Sequence, residues 1–361
     1  MRVALAVVVA AVLVLSAPFI SQIRSAIRTN FPGHFVTIIG GIIAALVLAG
    51  LAAAFLRIRD RRLFRYGSIA TALVIALAYS LWQQTGKPEV DVVERFHFVE
   101  YGLITFLFYR AWRPLGDDAV LVLPVLAALI VGTADEWLQW FIPVRVGEMR
   151  DVLLNGIAIG CGLLFSVGVD PPPSFGVGLR PGSRARIARF AAATVLVFAA
   201  FFHVVHLGFD IRDDEVGTFK SRYSKARLGE LARQRAEQWR LRPPVVLHRV
   251  SREDQYMTEG VLHARARNDF WSAGDYVSSW NENRILEKYY APVLDTPSYE
   301  ARTGHRWPDE QRNDAAARVA ALAPATGTFV STANTYPIHA WPALAFWIGA
   351  AMLAGAIMMT A

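Results

Sequence analysis

The sequence holds a single cysteine, Cys161, among 361 residues. That excludes an intramolecular disulfide and any cysteine-based metal centre. Cys161 lies inside an apolar run and reads as a small buried hydrophobe. No His-Glu-x-x-His, Gly-x-Ser-x-Gly, P-loop or dinucleotide fingerprint occurs, and no internal repeat. One intramembrane histidine among carboxylates is a weak donor set for a divalent cation, so no metal and no cofactor are assigned. Charge is sparse: 19% of residues are charged against 54% hydrophobic, and mean hydropathy is +0.32. Soluble domains rarely carry so much apolar residue in long blocks.

The net charge of +7 and pI near 9.7 do not indicate nucleic acid. Most of the excess sits in short loops between apolar runs, where arginine sets membrane orientation. The runs cover 3–20, 35–55, 66–82, 96–112, 119–141, 151–169, 187–207 and 341–359. Each is near the length a helix needs to cross a bilayer. The expectation is an all-α polytopic membrane protein with about eight transmembrane helices. The first run has a poor cleavage site at Ser16-Ala17-Pro18 and reads as a retained helix rather than a signal peptide.

Arginines follow alternate runs: Arg57, Arg59, Arg61, Arg62 and Arg65; then Arg110 and Arg113; then Arg180, Arg184, Arg186 and Arg189. The positive-inside rule makes those loops and both termini cytoplasmic. Helices one to seven then occupy 1–207, a soluble domain 208–340 lies outside, and 341–361 is the last helix. The soluble segment mixes both charges with scattered tryptophans. Helix formers without proline predict a helix over 213–240, and 252–291 reads as one or two more, ending before Pro292. Only 245–250 and 326–332 look strand-like. This is a mainly helical extracytoplasmic domain, and Pro171-Pro172-Pro173 makes a stiff linker on the other side.

Ionisable residues in membrane helices are costly and mark sites by default. Three sets occur: Glu94, His97, Glu100 and Tyr101; Asp135, Glu136 and Gln139; Asp151 and Asn155. Spacings of three and four place each set on one helix face. Asp135 falls roughly 22 Å along its helix. With the expected orientation, all three sets sit at the outer ends of helices four to six. Arg95, Arg145 and Arg150 join them where orientation calls for no positive charge, and suit a phosphate. Taken singly, such groups serve as well to bind helices together in lipid. Their convergence at one depth favours a site.

These residues also carry a resemblance. Asp135-Glu136-Trp-Leu-Gln139-Trp-Phe-Ile-Pro143-Val-Arg145, then Arg150-Asp151-Val-Leu-Leu-Asn155-Gly156, resembles the signature of the VanZ-like family. That family is named for an accessory protein of bacterial glycopeptide resistance. His97 and Tyr101 match its upstream His-x-x-x-Tyr. The resemblance covers roughly 65–170. Val144 and Ala158 stand where the family has glycine, and Glu94 where it is often basic. The resemblance implies a bacterial cytoplasmic membrane protein linked to the cell envelope, and leaves its activity open.

Three functions compete. The first is binding, and modification or movement, of an anionic lipid or lipid-linked precursor. Glu94, Arg95, Tyr101, Gln139, Arg145, Arg150 and Asn155 would hold it. His97, Asp135, Glu136 and Asp151 would carry any chemistry, with His97 the natural general acid or base. The second is a non-catalytic assembly factor presenting the soluble domain to an envelope protein. The third is a proton-coupled transporter, against which stands the lack of matching polar residues in the cytoplasmic halves of helices four to six.

Overall fold

The computed structural model describes residues 2–142, 147–242, 255–298, 300–322, 329–333 and 337–360. Its helices are α1 (Arg2–Asn30), α2 (Phe35–Arg57), α3 (Arg62–Trp82), α4 (Pro88–Trp112), α5 (Ala119–Trp140), α6 (Met149–Val169) and α7 (Pro181–His206), followed by a hairpin of β1 (Phe209–Asp213) and β2 (Gly217–Ser221). Then come α8 (Lys225–Leu241), α9 (Gln255–Ser272), α10 (Tyr276–Tyr289), the single turn α11 (Ala291–Leu294), α12 (Asp309–Leu322) and α13 (Ala343–Met359).

Six helices, α1, α2, α3, α5, α6 and α7, are long and apolar enough to cross a membrane. That falls short of the expected eight for two physical reasons. α4 has 25 residues but carries Glu94, Arg95, Glu100 and Arg110 along its length. α13 is apolar throughout but has only 17 residues. The first helix also runs past the apolar block, from Arg2 to Asn30 with Pro18 inside it.

The chain divides into two compact units. The first holds most of the apolar helices. Here α4 packs against α1, α2, α3 and α6. Ala6 and Ala10 of α1, Tyr101, Ile104 and Phe108 of α4, Ala127 and Ala128 of α5, and Ala158 and Ile159 of α6 form one buried cluster. Small residues dominate it, as expected where close backbone approach replaces the hydrophobic effect in lipid. A Cβ on Gly162 of α6 would come within 2.7 Å of the Gly102 Cα on α4.

The second unit spans Trp140–Arg145 and Phe202–Phe346 and has its own core. Ile211, Val216 and Phe219 of the hairpin region meet Leu228, Leu231 and Trp239 of α8, Tyr256 and Val261 of α9, and Ile285, Leu286 and Tyr289 of α10. Ser224 caps α8 by accepting the Arg227 N–H, and Asp275 caps α10 by accepting that of Ser278.

The hairpin corrects the expected helix over 213–240. Its strands pair antiparallel, with Ile211 opposite Phe219 and Asp213 opposite Gly217. Gly217 has φ +94, and a Cβ there would strike the Phe329 carbonyl oxygen at 2.4 Å. That glycine and the alternating burial of Gly217, Phe219 and Ser221 break helical periodicity, so the helix starts only at Lys225. Residues 245–250 and 326–328 lie outside the described residues. Within 329–332, Val330 forms one isolated bridge with Thr218. The helices over 252–291 come out as α9 and α10, and Pro292 opens the short α11.

Candidate functional site

Five residues on three helices build a buried polar network in the first unit. The Tyr101 hydroxyl on α4 donates to Asp135 Oδ2 at 2.8 Å. Gln139, one turn on from Asp135, donates its amide to the same oxygen at 2.9 Å and to Glu136 Oε1 at 3.4 Å. Asn155 of α6 donates to Glu136 Oε1 at 3.1 Å. Three helices thereby converge on two adjacent carboxylates, all deeply buried. Gly132 makes this level reachable: a Cβ there would lie 3.2 Å from the Asn155 Cβ and 3.3 Å from the Tyr101 ring.

His97 adjoins the network through Tyr101, its ring parallel at 5.9 Å. Its Nδ1 stands 3.9 Å from Glu100 Oε2, longer than a hydrogen bond. Towards the N-terminus of α4, Glu94 accepts from Arg150 at 3.0 and 3.2 Å. This pair is partly exposed, so it contributes at most about 1 kcal/mol. Asp151 sits in the first turn of α6, one turn before Asn155. With Glu94 and Arg150 it lies within electrostatic range of Tyr79 on α3.

Arg95 differs from its neighbours. It lines a cavity of about 10 Å³ with Tyr79, Gln83, Asp91, Glu94 and Phe98, room for about one water. It makes no hydrogen bond or close ion pair among the described residues. Asp91 acts on it at longer range, while that carboxylate is engaged by the Thr85 N–H at 2.9 Å and hydroxyl at 2.8 Å. Arg145 lies outside the described residues. Thus Tyr101, Asp135, Glu136, Gln139 and Asn155 form one network, and Glu94 with Arg150 form a pair. His97 stacks on the network. No group of three His, Cys, Asp or Glu that could hold a metal ion occurs among the described residues.

The opposite end of the same helices is held by residues outside the predicted site, two of which, Arg65 and Arg113, the sequence reading counted only as loop charge. Arg65 is 6% exposed. Its Nε donates to the Gly168 carbonyl at 2.9 Å and its terminal nitrogen to that of Val169 at 2.5 Å, closing the C-terminus of α6. Arg113 donates to the Pro171 carbonyl at 2.5 Å, and the Tyr109 hydroxyl to that of Asp170 at 2.6 Å. Burial of Asp117, in the loop before α5, pushes its carboxyl up. Hydrogen bonds from Ser183, Arg180 and Ala119 outweigh that and hold it below the usual carboxylate range. A periodic signal for Arg65 existed: Arg65, Ile69 and Ala72 follow helical spacing, and all three are buried.

In the second unit, Glu259, His263 and Arg267 recur every four residues on α9 and are all buried. Glu259 accepts from Ser221 at 2.6 Å and Tyr290 at 2.9 Å. His263 Nδ1 lies 2.7 Å from Glu282 Oε2. The sequence reading missed these residues, although the four-residue recurrence of ionisable groups beside Val261 and Leu262 marks an unusual face. No family model, curated protein or solved structure matches the chain.

Proposed function

We propose that this chain is a VanZ-like multi-pass protein of the bacterial cytoplasmic membrane that binds an anionic lipid or lipid-linked envelope precursor. The α5–α6 end of its first unit would face outward. α4 and α13 complete eight spans, and residues 208–340 lie outside.

One observation carries the ligand assignment. Arg95 lines a small cavity at the N-terminal part of α4 with no close ion pair among the described residues, whereas Arg150 beside it is held by Glu94. An arginine near lipid is costly unless paired, and a phosphate presents two oxygens to the planar guanidinium fork. The cavity is too small for a headgroup, so the headgroup would sit at its mouth. The Tyr101–Asp135–Gln139–Glu136–Asn155 network would fix α4, α5 and α6 beneath it.

The test is lipid co-purification read by native mass spectrometry, with phosphatidylglycerol and a polyprenyl phosphate as probes and phosphatidylcholine as control. We expect the wild type to retain the anionic lipids. Arg95→Gln should lose them by about tenfold, with melting temperature changed by less than about 2 °C, and Arg95→Lys should rescue poorly. Retention of phosphatidylcholine to the same extent, or undiminished lipid on Arg95→Gln, rejects the reading. A second reading, an assembly factor, draws on the separate core of the second unit. It predicts that deleting contacts on that unit abolishes an envelope phenotype while lipid retention is unchanged.

A further inference from the structure

Arg267 is among the largest fully buried side chains of the protein, at 2% exposure. A buried cation is costly unless a carboxylate or a full set of acceptors compensates it. Its partners are all neutral oxygens: Asn268 Oδ1 at 3.1 Å, Asn283 Oδ1 at 3.0 Å and the His305 carbonyl at 2.7 Å. The indole of Trp307 adds a face 4.6 Å from the guanidinium carbon. Burial lowers the Arg267 pKa to about 10, and only the more distant Glu287 opposes that shift. Glu287 is itself engaged by Arg312 at 2.8 Å and Asn283 at 3.1 Å. Among the described residues, none supplies Arg267 with a dedicated negative charge.

Arg267 also lines a pocket of about 300 Å³. The walls include Asn268, Trp271, Arg306, Trp307 and Gln311, and no aspartate or glutamate is among the lining residues. Arg306 is neutralised by two bonds to Asp295, at 2.5 and 2.7 Å, which leaves Arg267 as the uncompensated charge. Trp271 and Trp307 stand 5.5 Å apart at 60°, giving the cleft an aromatic wall. Trp307 is 5% exposed, and its indole N–H, buried, meets no acceptor among the described residues. A buried cation met only by neutral oxygens, beside an indole N–H with no acceptor among the described residues, calls for an anion, and an aromatic wall for a ring that stacks. The volume is at the lower end for small-molecule sites, which restricts the ligand to a single ring with its substituents.

We propose that this pocket of the second unit binds a carboxylate-bearing monosaccharide unit, with the carboxylate opposite Arg267 and the sugar face against Trp271. The ring hydroxyls would meet the side chains of Asn268 and Gln311. The pocket is separate from α4, α5 and α6 and does not depend on the lipid reading. The same chemistry occurs in a free sugar acid and in the end unit of an acidic polysaccharide.

The test is isothermal titration of the purified full chain in detergent with glucuronate, an oligogalacturonate, glucose and inorganic phosphate. Glucuronate should bind at least about tenfold more tightly than glucose, which lacks the charge, and than phosphate, which lacks the ring. Tighter binding of the oligogalacturonate assigns a polymer end, and equal or weaker binding assigns the free acid; both support the site. Arg267→Gln should abolish binding. Because that change also removes a fully buried side chain from the unit, half-buried Trp271→Ala is the second variant, expected to weaken binding about tenfold with the fold retained by circular dichroism. No glucuronate binding to the wild type, equal affinity for glucose or phosphate, or full binding by a folded Trp271→Ala overturns the proposal.

Discussion

Asp213 shows how one side chain organises its surroundings. It closes the hairpin by accepting the N–H groups of Glu215 and Val216 at 3.0 and 3.3 Å. It also accepts from the Tyr289 hydroxyl at 2.6 Å and Lys288 at 3.0 Å, with Lys225 at 2.9 Å. Burial alone pushes its carboxyl up, but these donors win and hold it well below the ordinary carboxylate range. A depressed folded pKa means the unfolded chain binds more protons. The stabilisation is therefore complete above the unfolded value near 3.9 and fades as pH falls towards the folded one. Asp213→Asn should destabilise the second unit by about 2 kcal/mol at pH 7, with the gap narrowing below about pH 4. Urea denaturation followed by tryptophan fluorescence at pH 7 and pH 3 tests this; a gap of the same size at both counts against it. Such residues were hard to find in the sequence because composition does not report burial. Asp135, Gln139 and Asn155 were legible because charge and amide groups stand out in apolar runs, and Tyr101 because it stands four residues after His97. Asp213, Glu259 and Arg267 sit in a segment charged throughout, where nothing in the residue type separates them from a solvated face. Arg65 was hidden in another way, among loop arginines that already had an explanation.

At the scale of elements, the first unit depends on how closely its helices approach. Gly162 on α6 faces Gly102 on α4, and an added Cβ would meet backbone atoms at 2.7 and 3.0 Å. Gly168 meets Ile69 at 2.6 Å and the Arg65 carbonyl at 2.8 Å in the same way. Backbone cannot move aside as a flexible side chain can, so α4 and α6 would have to part. That would loosen the Asn155–Glu136 and Tyr101–Asp135 bonds on the same helices. Gly160, two residues earlier, has open space where its Cβ would go. We expect Gly162→Ala to cost about 1–3 kcal/mol by overpacking. Gly160→Ala should be neutral or stabilising by up to about 1 kcal/mol through helix propensity. Thermal unfolding in detergent compares the two; equal effects would show that glycine content, rather than close approach, sets stability. The sequence marked α6 as a helix from its apolar block. Which of its glycines is a contact is a tertiary property that a single helix cannot display. The hairpin was missed for a related reason: its two five-residue strands are too short to outweigh the helix formers that follow.

For the whole molecule, the orientation turns on α4, because its crossing decides on which sides the arginine-rich loops lie. If α4 did not cross, the loop at 57–65 and the loop at 110–113 would fall on opposite sides, and the positive-inside pattern would be broken. Two features favour crossing. Its 25 residues extend roughly 37 Å, enough to span the hydrocarbon core. It packs against α1, α2, α3 and α6, so its Tyr101, Thr105 and Tyr109 are buried by protein rather than exposed to lipid. The bonds at one end of the unit agree: Arg65, after α2, and Arg113, after α4, both reach carbonyls between residues 168 and 171. Two loops tied to one point are on one side. We therefore expect Ser272→Cys, on exposed α9 surface, to react with a membrane-impermeant maleimide in intact spheroplasts, in a Cys161→Ser background. Arg59→Cys should react only after permeabilisation. The reverse pattern would invert the orientation. Reaction of both before permeabilisation would mean that an odd number of spans does not separate them, and that one of α3 to α7 lies along the membrane rather than across it.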